Sequence, residues 1–484
     1  MKRIFTLSLV LVMLMTTCLT ACTPTVHPVP TQTTSTNSDE PTTTPGTTTE
    51  PDTTKEPDTT TEPDVTTDPG TTSPDPVVTD PIDEPAIQYL KTPLKYAVAE
   101  YIENELKNKP QQSYMVSPLS FQYALGMLVA GADGDTKDQL IKAMGYTRSQ
   151  EVEDYLKGFN SFSEWFNEKK RHDIEEYSKL EDVQKQFYTE PAGTLRVANS
   201  VWKREDIAEF LQDYKLRLEM FDAEHFSFTP QDIVNRANQW ANEKTEGMIP
   251  SILPQDFDAF ELAVLLMNAL YYKNGWAHEF RDSNKMDFTT FDGKTVKKDA
   301  MVSTERYRYY KDDKTELVVV PMQDRVYMTF VLGDTSDLDS KIAQATLRKV
   351  CVTLPKFEIE SSFNSGELVK YLIERGASDI FDKEKADLGL MIDKSLLKYN
   401  LYVSDIIQKT KIKLDETGVE AAAVTAIMVA EATSIGEPEQ ITYFTADKPF
   451  HFYIHSTCVP TCGNTTEGEL TAPTFVLFEG RLAE

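Results

Sequence analysis

The sequence predicts an α+β protein whose folded part is residues 86–484, set behind a secretory signal and an extended linker. Three observations carry this prediction. Residues 86–484 hold essentially all the aromatic side chains of the 484-residue chain, enough apolar material for a large core. Strand patterns (Val350 to Val352, and HFYIH at His451 to His455) and a helix-capping turn (Asp133-Gly134-Asp135-Thr136) occur within it, so neither class stands alone. One long segment, DETGVEAAAVTAIMVAEATSIGEPEQITYFTADKPF (Asp415 to Phe450), reads as helix and as strand.

That segment is the most informative part of the chain. Glu420 to Ala432 is rich in Ala, Glu and Met, which favour helix. Val419, Val424, Thr425, Ile427, Val429 and Thr433 are stiff at χ1 and favour strand. With period two, Val419, Ala421, Ala423 and Thr425 share one face, small, uncharged and suited to a crowded interior. Glu420, Ala422 and Val424 share the other, with the charge outward. Such a stretch suits an exposed loop, or a central strand of a sheet.

The N-terminal part holds no fold. Met1 to Ala21 has a basic start (Lys2, Arg3) and an apolar run, Ile4 to Met15, too short for a comfortable membrane span, and reads as a secretory signal. It ends Leu19-Thr20-Ala21-Cys22, which resembles the bacterial lipobox. The resemblance implies a lipidated Cys22 and an extracytoplasmic protein anchored to a cell membrane or outer membrane. The alternative is an ordinary signal with a chance cysteine. Residues 22–85 are Thr, Pro, Asp and Glu with almost no large apolar side chains, and three Glu-Pro-Asp copies begin at Glu50, Glu56 and Glu62. Nothing there offsets chain entropy, so a disordered, extended stalk is expected. As polyproline II it reaches on the order of 200 Å at most.

Charge and cysteines narrow the function. The whole chain carries −28, and the acidity of residues 86–484 argues against nucleic acid, whose backbone would repel it. Of the five cysteines, Cys18 leaves with the signal. Cys351 reads as a buried strand thiol. Cys458 and Cys462 are near enough to bridge across a turn containing Pro460; two free thiols are the alternative. There is no phosphate loop, no Gly-x-Ser-x-Gly elbow and no His-Glu-x-x-His, so neither an enzyme nor a cofactor is expected. His451 and His455 have helical metal spacing but lie in a strand pattern, where they share a face with Tyr453, so no metal is expected.

Seven further segments give a resemblance. They are SYMVSPLSFQYALGMLVAGADGDTKDQL (Ser113 to Leu140), VANSVWKRED (Val197 to Asp206), NQWANEKTEGMIPSIL (Asn238 to Leu253), LLMNALYYKNGWAHEF (Leu265 to Phe280), VTLPKFEIESS (Val352 to Ser362), ADKPFHFYI (Ala446 to Ile454) and FVLFEGRL (Phe475 to Leu482). Together with the Gly418 hinge and its alanine run, in this order and at this spacing, they resemble the serpins, the serine protease inhibitor superfamily. The resemblance implies three β-sheets, surrounding helices and an exposed reactive-centre loop.

It also implies a mechanism. A target protease attacks the loop and forms an acyl-enzyme, and the cut loop inserts as a new strand before water can release the enzyme. Carried onto this sequence, the hinge is Glu416, Gly418, Val419, Glu420, Ala421, Ala422 and Ala423, with Val419 where the family usually has Thr or Ser. The gate through which the sheet opens is Ser117, Ser120 and Asn268, with Gln408 in place of a histidine. Trp276 marks the top of the sheet. Counting down the loop from Glu416 puts the reactive bond at Ala432–Thr433. The stretch after it, to Lys448, is longer than the family norm, which leaves Glu431–Ala432 open. Val429-Ala430-Glu431-Ala432 suits a serine protease of elastase or subtilisin type that accepts small residues; a cysteine protease is the second choice. A monomer is expected. The competing reading is a non-inhibitory serpin acting as a binding or structural module.

Overall fold

The computed structural model describes residues 90–185, 190–260, 262–363, 366–397, 400–419, 439–456 and 474–484. The chain divides into Met1–Asp75 and Pro76–Glu484. The signal, Cys22 and the linker lie outside the described residues, as do Glu420, Ala421, Ala422, Ala423, Ala432, Thr433, Cys458 and Cys462.

The described strands are β1 (Tyr114–Val116), β2 (Gly193–Arg204), β3 (Ala223–Phe228), β4 (Val264–Gly275), β5 (Arg281–Thr289), β6 (Thr295–Lys311), β7 (Thr315–Pro321), β8 (Val326–Gly333), β9 (Thr346–Pro355), β10 (Phe357–Phe363), β11 (Val403–Asp415), β12 (Gly418–Val419), β13 (Thr442–Thr445), β14 (Phe450–Ser456) and β15 (Phe475–Leu482). A six-stranded sheet runs β10-β11-β12-β4-β2-β3, and a larger network runs β1-β15-β14-β8-β7-β6-β9-β13 with β5 on β6. The network is two sheets sharing β6, which is 17 residues long. Its early residues pair with β5, its last four, Arg308 to Lys311, with β7, and β9 runs along its other edge. The six-stranded sheet thus stands alone, while the other two of the three expected sheets are joined into one network through β6 and β9.

Helices cover both faces of the six-stranded sheet. Helix Pro118–Gly131 is apolar on most of its surface, with Ser120 and Gln122 as buried polar exceptions, and is buried throughout apart from the half-buried Ala130, as suits a helix inside a large core. Ser117 caps it by accepting from the Ser120 N–H at 3.1 Å, with Pro118 at the first helical position. Helix Ser149–Lys179 runs for 31 residues, and Val152, Tyr155, Leu156, Phe159, Phe162 and Phe166 form its buried stripe. On the opposite face, helix Ile233–Lys244 lays Ile233, Ala237, Trp240 and Ala241 on Ala198, Trp202, Leu265, Met267 and Ile407. The capping turn is found at Asp133, whose side chain accepts from the Gly134 N–H at 2.9 Å and starts helix Gly134–Ala143.

Cys351 requires a correction. It pairs with Thr304 and Tyr443 and is only half-buried, while Val350 and Val352 point into the core. In a period-two strand only one of the two sets can face inward, and two valines outweigh one thiol.

One carboxyl is buried without a cation against it. Glu479 on β15 is fully buried, and its Oε1 accepts from the Ala99 N–H at 3.3 Å. Burial pushes its pKa up to about 8, although Ala99 and Lys95 act to lower it. The fold therefore keeps a proton that the unfolded chain has already released. The stability this contributes is full below the ordinary carboxylate range and is lost as the pH rises toward 8, by about 1.4 kcal/mol per pH unit in that window. The buried His455, whose pKa burial pushes down to about 3, acts in the opposite sense below about pH 6.5, so the melting midpoint should fall mainly between about pH 6.5 and pH 8, and Glu479→Gln should flatten most of that slope. An unchanged slope in the variant would place the titrating group elsewhere.

Candidate functional site

The site lies where β11 and β4 part. These strands run parallel and pair from Val403/Val264 to Gln408/Asn268. Beyond that point β11 continues on β10 up to Leu414, and β4 continues on β2 up to Asn274. Among the described residues only β12 stands between them, at the far end. Gly418 pairs with both Asp415 and Gly275, and Val419 with both Leu414 and Asn274. The facing edges Lys409–Lys413 and Ala269–Lys273 thus bound a wedge, one strand wide at the top and closed at Gln408/Asn268.

Local chemistry makes the chain enter this wedge. Asp415 Oδ1 accepts from the Thr417 N–H at 3.0 Å and from Thr417 Oγ1 at 2.6 Å, so the chain reverses within Glu416 and Thr417. Trp276 is fully buried beside the turn. Its N–H donates to Thr417 O at 3.1 Å and its indole Nε1 to Asp415 O at 3.0 Å. The Phe280 N–H donates to Glu416 O at 2.9 Å. Lys356 Nζ lies 2.6 Å from Glu416 Oε2 and 2.9 Å from Asp282 Oδ1. Partial burial works to lower the Lys356 pKa, and the two carboxylates more than reverse this and raise it.

Gly418 is required as glycine. Its φ is +142°, and a Cβ there would sit 2.3 Å from Asn274 O. Val419 is buried in the main core, which also holds Ile412, Leu414 and Tyr272. A valine at this position therefore suits the place the chain already occupies.

At the closed end of the wedge, Ser117, Ser120, Asn268 and Gln408 come together, all buried. The Ser117 N–H donates to Gln408 Oε1 at 2.9 Å, and Gln408 Nε2 donates to Ser117 O at 2.9 Å. Ser117 Oγ donates to Leu477 O at 2.7 Å. Ser120 Oγ donates to Asn268 Oδ1, and Asn268 Nδ2 to Asn199 Oδ1. Asn199 Nδ2 completes the chain on Phe221 O at 2.6 Å. One polar relay thus ties β11, β4, β2, β15 and helix Pro118–Gly131 at the last closed pair of the ladder. Asn199 was not anticipated, although a lone asparagine in the apolar strand VANSVW was its signal. Lys356 was read only as part of Pro-Lys-Phe, without its partner Glu416.

Nothing in the relay titrates near neutral pH. Gln408 replaces a group that would. The buried Glu479 and His455 give the domain a pH dependence of its own, so insensitivity to pH is a property of the relay and not of the whole melting transition. His451 and His455 bind protein groups. His451 Nε2 lies 3.2 Å from Glu103, and the buried His455 Nε2 lies 2.8 Å from Thr329 Oγ1. Burial pushes His455 down to about 3. Among the described residues no group of three His, Cys, Asp or Glu could hold a metal.

A sheet held shut by such a relay, with the start of a loop already wedged in its top, can be compared with known proteins. A family model described as Serpin (serine protease inhibitor) matches residues 97–461, more than half of the chain. The chain belongs to the serpin family. Among the serpin's relatives, the horse leukocyte elastase inhibitor is 29% identical over 379 residues, covering 72% of this chain and 90% of that protein. Iripin-1 of the tick Ixodes ricinus is 28% identical over 377 residues, covering 73% of this chain and 88% of the relative. Among solved structures, the thermophilic serpin Tengpin in its native state superposes with a TM-score of 0.62 at 24% identity, covering 81% of this chain and 93% of its own. A thyroxine-binding globulin complexed with thyroxine superposes with a TM-score of 0.59 at 19% identity, covering 81% and 97%. These superpositions show the fold. The family is one of serine protease inhibitors, and this chain is a serine-type endopeptidase inhibitor by that membership.

Proposed function

We propose that this serpin is a suicide substrate that traps its protease by drawing the cut loop into the wedge between β11 and β4. The observation that carries the reading is β12, a two-residue strand paired on both sides in the register a longer inserted strand would use. Extending that register places Ala421 between Ile412 and Tyr272, Ala423 between Thr410 and Leu270, and Thr425 between Gln408 and Asn268. The first five positions fill the open wedge, and Thr425 meets the relay. Further insertion has to break the Gln408/Asn268 pair and the ladder below it. The attacking protease supplies the nucleophile and this chain supplies the acyl group. Val419, where the family usually has Thr or Ser, is buried in the seat it already occupies, which supports the inhibitory reading over a binding module.

The target follows from the loop. Val429-Ala430-Glu431-Ala432 offers no Arg, Lys or aromatic side chain before the proposed bond, and the horse and human relatives are named for inhibiting leukocyte elastase. Mixing with subtilisin or pancreatic elastase should give an SDS-stable complex and release a C-terminal peptide beginning at Thr433. A peptide beginning at Ala432 would indicate a glutamyl-specific target. One beginning outside 431–436 would overturn the loop register, and absence of complex across a serine and cysteine protease panel would favour the binding module.

The place of action follows from Cys22. We assign it as the lipid attachment site, with residues 22–85 as the stalk. Acyl chains contribute roughly 0.8 kcal/mol per buried CH₂, so more than one chain holds the protein firmly. Cys22→Ser should move the protein from the detergent phase to the aqueous phase. Unchanged partitioning would mean that Cys22 is not the anchor.

A further inference from the structure

The 31-residue helix Ser149–Lys179 ends its buried stripe on a charge. Val152, Leu156, Phe159, Phe162 and Phe166 recur at helical spacing, and the next position of that stripe is Lys170, which is 2% exposed. A lysine gives up its hydration at such a site only where specific partners receive it. Its Nζ lies 2.8 Å from Asp324 Oδ2 and donates to Gln323 Oε1 at 2.5 Å. Lys169 adds a second contact, 3.2 Å from Asp324 Oδ1. Burial lowers the Lys170 pKa, and Asp324 works against that.

Gln323 and Asp324 form the turn between β7 and β8, and this turn sits on the end of β4. The Gln323 N–H donates to Gly275 O at 3.0 Å, and Asn274 Nδ2 donates to Gln323 O at 2.8 Å. Asp324 and the next residue, Arg325, hold φ values of +54° and +56°, so the turn carries backbone strain that its contacts must maintain. The packing leaves no slack. A Cβ on Gly193 would lie 2.7 Å from Lys170 Cε, and one on Gly275 would lie 2.8 Å from Gln323 Nε2. Asn274 and Gly275 are the two residues of β4 that pair with β12.

We propose that Lys170 is a positioning residue for loop insertion: through Gln323 and Asp324 it holds the Asn274–Gly275 edge against which Gly418 and Val419 are paired. The role in inhibition rests on the insertion reading above, whereas the link to β12 does not. The long helix thereby presets the first step of insertion, so that the cut loop starts from a paired end. Without the buried cation the turn loosens, β12 unpairs more often, and more acyl-enzyme hydrolyses before the loop is drawn in.

The test uses the full-length protein and three variants, Lys170→Met, Asp324→Asn and the double variant. The double variant removes both charges, so it remains informative if Lys170→Met alone misfolds around an unpaired carboxylate. Ile342→Ala, in the separate core cluster with Leu317, Val331 and Leu338, serves as a control for stability loss alone. Amide hydrogen exchange over Asp415–Val419 should speed up at least tenfold in Lys170→Met and in the double variant, and not in Ile342→Ala. The molar ratio of serpin to subtilisin needed for full inhibition should rise several-fold in the same two variants. Wild-type exchange in both, or equal acceleration in the control, would overturn the proposal. Faster exchange with no covalent complex even in the wild type would uphold the link to β12 and sink the inhibitory reading instead.

Discussion

Ala421→Arg should convert the inhibitor into a substrate. β12 sets the register: Val419 lies between Leu414 and Asn274, and on insertion Ala421, two residues further on, would fall between Ile412 and Tyr272 on the same inward face. Ile412 and Tyr272 are both buried in the main core. An arginine inserted there would be an unpaired buried charge, costing several kcal/mol. Each 1.4 kcal/mol on the barrier to insertion slows it about tenfold, so hydrolysis of the acyl-enzyme should win by roughly a hundredfold or more. The loop should still be cut at the same bond, at an unchanged rate, since the first attack does not depend on insertion. Titration against subtilisin reads the outcome as moles of serpin consumed per mole inhibited. A ratio near that of the wild type would mean that Ala421 never enters the sheet.

How far the sequence reached is best seen residue by residue. Gly418, Trp276 and the cluster of Ser117, Ser120, Asn268 and Gln408 were singled out by motif; the structure brings the four polar residues together and seats Trp276 beside the turn before Gly418, while Glu420, Ala421, Ala422 and Ala423 of the hinge lie outside the described residues. Motif works there because tight turns and buried polar pairs admit few residue types. Gly418 is fixed by a close backbone approach, and Gln408 by two hydrogen bonds to one backbone unit. What escaped was whatever depends on which face a side chain takes. Cys351 was assigned inward because it sits among valines, and period two alone does not say which alternate set is buried. Glu479 lies inside an apolar run, where its charge gave no sign of full burial. Lys170 was not singled out, because the continuation of the Phe162–Phe166 stripe into a buried ion pair depends on a turn more than 150 residues away.

The central claim is that the native fold is kinetically trapped with an unfilled sheet. Cleavage near Ala432 should therefore raise thermal stability, whereas nicking an ordinary exposed loop is neutral or mildly destabilising. Insertion extends β12 into a full strand, and ladder hydrogen bonds contribute about 1 kcal/mol each net. Roughly a dozen of them, at about 2 °C per kcal/mol for a large domain, point to a rise on the order of 20 °C. The gain depends on opening the relay of Ser117, Ser120, Asn268 and Gln408, which contains no group that titrates near neutrality. The rise on cleavage should therefore be nearly the same at pH 5 and pH 8, even though both midpoints move with Glu479 and His455. The measurement is a pair of melting curves, intact and cleaved, at each pH. A cleaved form melting far above the intact one at both pH values is the result this account predicts. Coincident midpoints would contradict it and leave a serpin fold that binds without trapping.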